Sequence, residues 1–538
     1  MSEQEETIDR IVATYKECVK ELGDLPSYPD FLEREITRDS IRRYFGNITN
    51  LHAHMRENYS EFLDEFFSSV ENVFSDEKTA NRKFKKKRFV ITTAVADSKA
   101  HKGFLSAISN YCDHNDAQTI IMPCESVTNS FEKKTATFDK VFNNPEYLFV
   151  NEDTKLNENL SLCSIQVSAK QIKPITGLAR IGNREGSYVF ASPKQFLEYI
   201  PSGNQRGKNY SIMTPGACTV SNYYSETFVS KRLSYIAEHD HTIGAIIVEL
   251  DGDYFHFRQI QADPKTGEFI DLGVNYLPDG TTEDVSLNIV LGDIHGVQVD
   301  KEALSDFMTP LSSKKVDSVF LHDIFDGMSI NHHIFTIYER ATRSMNFMDS
   351  LMKELRETLE ILFSVENNLS PENLYIVKSN HDEFLERYLK EGRYIEDEVN
   401  HYTALKIAPA LFEGEDVLKR GFLLVAKTED EIQRINSWNF LVRESTVEIS
   451  NVHCSSHGDL GLNGARSSIA SLEKIYGDCV VGHSHSPAIQ RGVFRVGTMS
   501  NLDMEYNRGP SSWTHTNCLV YSNGQRQLLN RINSKYFI

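Results

Sequence analysis

The sequence has no pair of cysteines at the spacing of a zinc site or a redox motif. Its eight cysteines are scattered over 538 residues, and no two form a C-x-x-C pair. A disulfide framework and a zinc knuckle both depend on grouped cysteines, so neither is predicted. The scattered thiols are typical of a reducing compartment, and we expect a cytoplasmic location.

Long hydrophobic runs and an excess of positive charge are also missing. No apolar run approaches the roughly 20 residues that cross a bilayer, and the acidic first residues lack the apolar core of a signal peptide. We therefore expect no membrane association. Lys and Arg number 57 against 76 Asp and Glu, a net charge of −19. Because such a chain repels nucleic acid at long range, any contact with DNA must come from local basic patches or metal ions.

The length and the changing residue pattern predict several domains. Residues 1–75 have apolar side chains at helical spacing, and residues 76–88 are a charged linker whose basic run could also grip phosphates. Residues 89–285 alternate apolar strands with helices, which predicts an α/β domain whose role the pattern does not reveal. Residues 286–538 have the same α/β pattern and carry the motifs described next.

Five short polar segments occur in the C-terminal region, each at or just after the end of a predicted strand. They are GDIHG at 292–296, HDIFDG at 322–327, NHD at 380–382, HGD at 457–459 and GHSH at 482–485. Open α/β sheets place their sites at the carboxyl ends of their strands. We therefore expect these five segments to converge on one site.

The side chains in these segments are of the types that bind two divalent metal ions side by side. Asp293 and His295 can turn toward one ion, and Asp323 has two oxygens that can bridge a pair. The other candidate ligands are one amide and three imidazoles: Asn380, His457, His483 and His485. This mixture of oxygen and nitrogen favours Mn²⁺, Fe or Zn²⁺ over Ca²⁺, and we prefer Mn²⁺. Two adjacent metal ions are a standard device for hydrolysing phosphate esters.

The order and content of the five segments resemble the calcineurin-like metallophosphoesterase superfamily, with its D-x-H, G-D-x-x-D, G-N-H-[DE], H and G-H-x-H motifs. The resemblance implies a four-layer α/β sandwich over residues 286–538. It implies that Asp293, His295, Asp323 and His485 hold one metal ion, and that Asp323, Asn380, His457 and His483 hold the other. It further implies that His381 is the general acid at the leaving oxygen and that Asp326 orients His381.

Two positions depart from the superfamily pattern, and one ligand has a rival. His322 and Ser379 stand where glycines are usual, which affects the turns rather than the ligands. His453 follows the same strand as His457, but His457 has the adjacent glycine of the motif and is preferred. We expect His332 and His333 to be structural or to lie behind the ligands.

The N-terminal region resembles the small helix-turn-helix repeat that accompanies homing endonucleases. It has a G-x-x-P start at Gly23–Pro26 and a Phe-Gly end at Phe45–Gly46, and we expect Thr37 to cap the last helix and Gly46 to end it. In that family the helix before Phe-Gly lies against DNA. The resemblance makes candidate DNA contacts of Arg38, Ser40, Arg42 and Arg43. The alternative is a small helical bundle whose arginines are only solvated.

Together these features predict a metal-dependent DNA nuclease with DNA as its substrate. The GHSH segment is shared with the SbcD-type nuclease branch, and the layout resembles early host-DNA-degrading proteins of T5-like phages, which would place the chain in the host cytoplasm. Two alternatives stay open: a phosphatase acting on phosphoproteins or nucleotides, and a DNA-binding regulator with a vestigial phosphoesterase domain. The sequence leaves a homo-oligomer open.

Overall fold

The structure is a computed structural model of the full chain. It describes every residue except 1–2, 23–25, 27, 33, 47, 60–61, 63–85, 125–136, 166, 179–185, 203–208, 224–227, 332–337, 339–340, 342–343, 346–348, 505–506 and 508. His332, His333 and most of the predicted linker lie outside the described residues. The chain divides into two compact units, one of residues up to Lys83 with Lys140–Asn144, and one of the remainder.

The first unit is helical. Its helices are α1 (Glu3–Leu22), α2 (Tyr28–Leu32), α3 (Arg38–Phe45) and α4 (Ile48–Asn58). Buried apolar side chains from all four, including Val12, Phe31, Ile41 and Leu51, form its core. Helix α3 begins and ends where the sequence predicts, because the Thr37 side chain accepts a hydrogen bond from the Ser40 N–H and Gly46 has a positive φ of 80°.

The second unit is a mixed α/β structure. Its helices are α5 (Lys102–Asn115), α6 (Phe228–His239), α7 (Lys301–Leu311), α8 (Leu351–Leu369), α9 (Glu383–Lys390), α10 (His401–Ile407), α11 (Pro409–Glu413), α12 (Val417–Val425), α13 (Glu429–Ser437) and α14 (Ile469–Tyr476). The strands before residue 285 are β1 (Arg88–Val95), β2 (Ala117–Cys124), β3 (Tyr147–Phe149), β4 (Thr154–Asn157), β5 (Leu160–Cys163), β6 (Ser187–Phe190), β7 (Gln195–Pro201), β8 (Asn209–Pro215), β9 (Gly244–Asp251), β10 (Tyr254–Gln261), β11 (Phe269–Asp271), β12 (Val274–Tyr276) and β13 (Thr282–Asp284). Those after it are β14 (Leu287–Val290), β15 (Val316–His322), β16 (Asn373–Val377), β17 (Asn439–Phe440), β18 (Glu448–Ile449), β19 (Val452–His453), β20 (Cys479–Val481), β21 (Ala488–Gln490), β22 (Val493–Arg495), β23 (Thr516–Val520) and β24 (Arg526–Asn530).

Two large sheets dominate the second unit. The six-stranded sheet has the order β17-β16-β15-β14-β23-β24, and its first four strands are parallel. The ten-stranded sheet has the order β18-β19-β20-β22-β21-β7-β8-β6-β5-β4. The described residues also form a five-stranded sheet, β10-β9-β1-β2-β3, and a three-stranded sheet, β11-β12-β13.

Successive residues of the strands pack into different cores, as period-two alternation requires. In β15, Val319 and Leu321 belong to the core under helices α7 to α13, whereas Phe320 faces a core shared with the ten-stranded sheet. In β20, Val480 belongs to that shared core, and Val481 packs with the α14 residues on the far side. The layers are therefore helix, sheet, sheet and helix, which confirms the predicted four-layer α/β sandwich preceded by a helical region.

The predicted division near residue 285 does not separate two sheets. Strand β7 pairs with β21 through Phe196 and Gln490, so residues from both sides of that position lie in one ten-stranded sheet. All eight cysteines carry free thiols. Within the described residues, no helix combines the length and apolar character needed to cross a membrane.

Candidate metal centre

The candidate ligands lie at the ends of strands in the two large sheets. Parallel neighbours β14, β15 and β16 lead directly into the segments of Asp293, Asp323 and Asn380. In the ten-stranded sheet, β19 and β20 run parallel and lead into the segments of His457 and His483. Parallel strands end at the same edge of a sheet, so each sheet groups its own segments. The two groups meet through contacts such as those of Asn380 with His457 and of Asp293 with His485.

The first cluster is formed by Asp293, His295, Asp323 and His485, all buried. One ligand atom from each lies within 4.8 Å of the others. The Asp293 Oδ2 is 3.1 Å from His485 Nε2, and His485 Nε2 is 2.9 Å from His295 Nε2. Two imidazole nitrogens that face each other this closely are arranged as two ligands of one cation would be.

The second cluster is formed by Asp323, Asn380, His457 and His483. The His457 Nε2 lies 3.4 Å from Asp323 Oδ2 and 3.1 Å from Asn380 Oδ1. The same amide oxygen is 3.2 Å from His483 Nδ1. Asp323 therefore belongs to both clusters, as a carboxylate that bridges two cations must.

The residues present fit divalent cations. Among the described residues, Asp293 Oδ1 and His457 Nδ1 are buried and have no hydrogen-bond partner. A buried polar atom of that kind is costly unless something pairs with it. A Cβ on Gly482 would overlap the Asp293 carboxylate, so glycine is needed there. Four of the cluster residues also have left-handed backbone: His295, Asp323, His483 and His485. Strain of this kind collects at functional sites. These features fit a metal-dependent hydrolase.

The electrostatics of the clusters follow from burial and from opposite charges. Burial alone would raise the pKa of Asp323, but the neighbouring imidazoles of His457 and His381 hold it well below its usual range. Burial would lower the pKa of His457, but the Asp323 and Asp293 carboxylates raise it to about 9. Burial lowers the pKa of His485. Without metal ions, protons on the imidazoles thus balance part of the carboxylate charge.

His381 lies beside the first cluster and is held from one side. Its Nδ1 is 3.2 Å from the Asp326 main-chain oxygen and 3.4 Å from Asp326 Oδ1. Its ring meets that of His295 edge to face, with centroids 4.7 Å apart. Burial would lower the pKa of His381, but Asp323 and Asp326 raise it to about 10. In the metal-free chain this pKa keeps the ring protonated at neutral pH, the state from which a general acid acts.

Asp326 has a contact that the motif does not reveal. Its Oδ1 is 3.0 Å from His295 Nδ1 as well as close to His381. Burial would raise the pKa of Asp326, but the two imidazoles lower it to about 2. One ionised carboxylate therefore orients both rings and leaves Nε2 of His295 to face the cluster, a usual arrangement behind metal-binding histidines.

The structure distinguishes His457 from the alternative ligand His453. It also shows the surroundings of His322 and Ser379, which stand where the superfamily usually has glycine. His453 stacks on the Tyr476 ring with centroids 4.1 Å apart, outside both clusters. His322 is buried behind the site, its ring centroid 5.7 Å from that of His457. The Ser379 hydroxyl accepts a hydrogen bond from the Asp382 N–H at 3.1 Å, so it stabilises the turn that carries His381.

Several residues around the centre are not evident in the motifs. Buried Asp382 accepts a hydrogen bond from the Phe325 N–H at 3.0 Å and so links two of the polar segments. Asn517 accepts one from the Gly292 N–H at 2.9 Å. The half-buried Trp513 ring meets His485 edge to face, with centroids 4.2 Å apart. Arg443 pairs with Asp459, the last residue of the HGD segment.

The four candidate DNA contacts lie on α3 in the first unit. Arg38, Arg42 and Arg43 are exposed, and Ser40 is half-buried. The Ser40 hydroxyl lies 2.8 Å from that of Thr37, so it takes part in the cap. The three exposed arginines are compatible both with a phosphate-binding face and with a merely solvated one.

Comparisons with known proteins give a relative that is similar over most of the chain. No family model matches the chain. Protein A1 of Escherichia phage T5 is 30% identical over 485 residues, which are 84% of this chain and 83% of that protein. Crystal structures of Chaetomium thermophilum Vps29, alone and with a cyclic peptide, resemble 37% of this chain and 97% of Vps29, with identities of 7% and 8% and TM-scores of 0.21 and 0.20.

Proposed function

The chain belongs to the family that includes Protein A1 of Escherichia phage T5, and on that premise we propose that it is a two-metal nuclease of the calcineurin-like metallophosphoesterase type that hydrolyses phosphodiester bonds in DNA. The observation that carries the proposal is the pair of clusters that share Asp323, with His381 held beside them by Asp326. Neither a binding module nor a structural protein needs that combination.

In the proposed reaction a water molecule adds to phosphorus and the P–O bond to the leaving nucleoside breaks. Two divalent cations, preferably Mn²⁺, would be held by the two clusters and would lower the pKa of a water molecule and neutralise the phosphoryl oxygens. His381 gives its proton to the leaving oxygen, which is otherwise expelled as a poorly stable alkoxide. Asp326 keeps the His381 ring in place through Nδ1, so that Nε2 is the nitrogen that delivers the proton.

Two observations support nucleic acid as the substrate over a small phosphate ester. The half-buried Trp513 ring stands next to His485, where an aromatic face can stack on a base beside the reacting phosphate. The exposed arginines of α3 supply the local positive charge that an acidic chain needs to approach DNA.

The experiment that tests the proposal compares substrates under one set of conditions. The chain with Mn²⁺ should cut linear and supercoiled duplex DNA and hydrolyse bis-p-nitrophenyl phosphate, a diester. Hydrolysis of p-nitrophenyl phosphate, a monoester, without action on either diester would reject the nuclease in favour of a phosphatase. DNA binding without any hydrolysis in Mn²⁺ would favour the non-enzymatic regulator.

A further inference from the structure

Arg443 makes three hydrogen bonds to two carboxylates beside the metal centre. Its Nε donates to Glu383 Oε1 at 2.7 Å. Its Nη1 and Nη2 donate to the two oxygens of Asp459 at 2.7 and 3.0 Å. The Arg443 side chain is 21% exposed and that of Asp459 only 9%, so the pair is largely removed from water. Such a planar two-point contact is specific to arginine and is not available to lysine.

Asp459 ends the HGD segment and Glu383 directly follows the NHD segment, and each of these segments carries a ligand of the second cluster. Glu383 lies three residues after Asn380, and Asp459 lies two residues after His457. Asn380 Oδ1 and His457 Nε2 are 3.1 Å apart. The Arg443 guanidinium therefore joins the same two segments that meet at the candidate ligands, at positions two and three residues after those ligands.

These two segments follow strands of different sheets. Asn380 follows β16 of the six-stranded sheet, and His457 follows β19 of the ten-stranded sheet. Each segment is tied to its own neighbours: the His381 N–H donates to Asp323 Oδ1 at 3.3 Å, and the Gly482 N–H donates to His457 O at 2.8 Å. Those bonds do not hold Asn380 against His457 across the gap between sheets, whereas Arg443 spans it.

The first cluster is joined across the sheets in another way. The His483 N–H donates to Asp293 Oδ2 at 2.8 Å. The Met499 N–H donates to Asp293 O at 2.8 Å, and the Asp293 N–H to Gly497 O at 3.2 Å. Asp293 is thus held by main-chain groups of its neighbours, through its own main chain and its carboxylate, and these bonds do not involve Arg443. The two clusters should therefore respond differently to the loss of Arg443.

We propose that Arg443 is a positioning residue, a clamp that holds the Asn380 and His457 segments together. It thereby sets the cation affinity of the second cluster and leaves that of the first cluster unchanged. The inference rests on the proposed function only in that both need two cations. Partners behind metal ligands typically contribute about 10–100-fold to metal affinity, so loss of the clamp should weaken the second Mn²⁺ by at least about tenfold.

The chain contains a matched control. Arg356 also makes three hydrogen bonds to two carboxylates, a pair to Glu431 at 2.6 and 2.9 Å and one to Glu360 at 2.8 Å, and its side chain is 18% exposed. It lies on α8, away from the polar segments. Arg356→Met removes an equivalent ionic contact and reports the general cost to stability.

The test is a Mn²⁺ titration of the full chain by calorimetry and electron paramagnetic resonance, with thermal unfolding in EDTA to check the fold. Two reference variants isolate the sites: His295→Gln leaves the second cluster to bind, and His483→Gln leaves the first. Adding Arg443→Met should weaken Mn²⁺ at least tenfold in the His295→Gln variant and by less than twofold in the His483→Gln variant. Arg356→Met should change neither.

Unchanged binding at both sites, or equal weakening of both, would overturn the clamp, and so would fewer than two ions bound to the unmodified chain. If Arg443→Met does not fold, Arg443→Lys keeps the charge without the two-point contact and is judged by the same outcomes. A chain that binds two ions but cuts no DNA would reject the proposed function and leave this test intact, because metal binding is its only measure.

Discussion

The metal centre and helix α3 carry their charges in opposite ways. At the metal centre, Asp293 and Asp323 are buried among imidazoles whose protonation they control. On α3, Arg42 and Arg43 stand exposed to solvent. Buried charges interact strongly and are little affected by salt, whereas exposed ones are worth little and are screened over about 8–10 Å at 0.1–0.15 M ionic strength. Substitutions at the metal centre and on α3 should therefore differ in the size of their effects and in their dependence on salt.

The largest effect is expected at Asp323, because both clusters depend on it. Asp323→Asn removes the carboxylate that the two sites share, and the loss of several kcal/mol of charge stabilisation corresponds to a fall in kcat of at least about 10³-fold. Cleavage of supercoiled DNA with Mn²⁺ measures it. Asp113→Asn, at an exposed aspartate, should keep full activity. Near-normal cleavage by Asp323→Asn would remove the metal centre from the mechanism.

A smaller effect should follow from the loss of the general acid. His381→Gln should lower DNA cleavage by about 10²–10⁴-fold, the usual contribution of a positioned proton donor, and two Mn²⁺ ions should still bind because His381 belongs to neither cluster. The loss should be much smaller with bis-p-nitrophenyl phosphate, since its leaving group departs without a proton. An equal loss with both substrates would contradict the role of His381.

The stability of the metal-free chain should depend on pH. The pKa of His457 is raised to about 9 and that of His381 to about 10, from a usual value of 6.5. A folded pKa above the unfolded one contributes stability that is fully present below about pH 6.5 and is lost as pH rises through 9 to 10. The unfolding temperature of the metal-free chain should therefore fall as the pH is raised from about 6.5 to 10, which thermal unfolding at a series of pH values measures.

Metal binding should show the opposite trend with pH. His457 must lose its proton to bind a cation, so Mn²⁺ affinity should rise by up to about tenfold per pH unit below pH 9 if one proton is released. Calorimetry in buffers of different ionisation enthalpy counts that proton. By contrast, the charges of the exposed arginines on α3 should not change with pH, because arginine does not titrate in this range. Mn²⁺ affinity that is independent of pH from 6 to 8 would contradict the raised pKa of His457.

The clusters could be predicted from sequence because each ligand sits in a short segment at a strand end. The order of those segments and the rule that parallel strands end together were enough to place Asp293 and Asn380 near each other. Arg443 could not be found in this way. It follows a two-residue strand and has no motif, and its partners Glu383 and Asp459 lie 60 and 16 residues away.

The fold shows the same limit at larger scale. Periodicity predicts strands one at a time, but the pairing of β7 with β21, which lie nearly 300 residues apart, depends on tertiary packing. The boundary expected near residue 285 therefore lies between strands that belong to the same ten-stranded sheet. Helix α8 begins at Leu351 because the Ser350 side chain caps it by accepting a hydrogen bond from the Lys353 N–H, and apolar spacing alone does not mark such a start.

The smallest effect should come from α3. Arg42→Gln with Arg43→Gln keeps good helix formers but removes two exposed charges from a helix with Ile41 buried beneath it. If both arginines contact phosphates, DNA affinity should fall several-fold, and the slope of log affinity against log salt should decrease by about 2, since each contact contributes about 0.9. Fluorescence anisotropy over a salt series measures both, with Arg10→Gln on α1 as the exposed control. The rate at saturating DNA should not change, because these charges act on encounter and not on the bond that breaks. An unaltered salt slope would favour the alternative of a helical bundle that does not contact DNA. Helix α3 would then be an ordinary charged surface, unlike the metal centre.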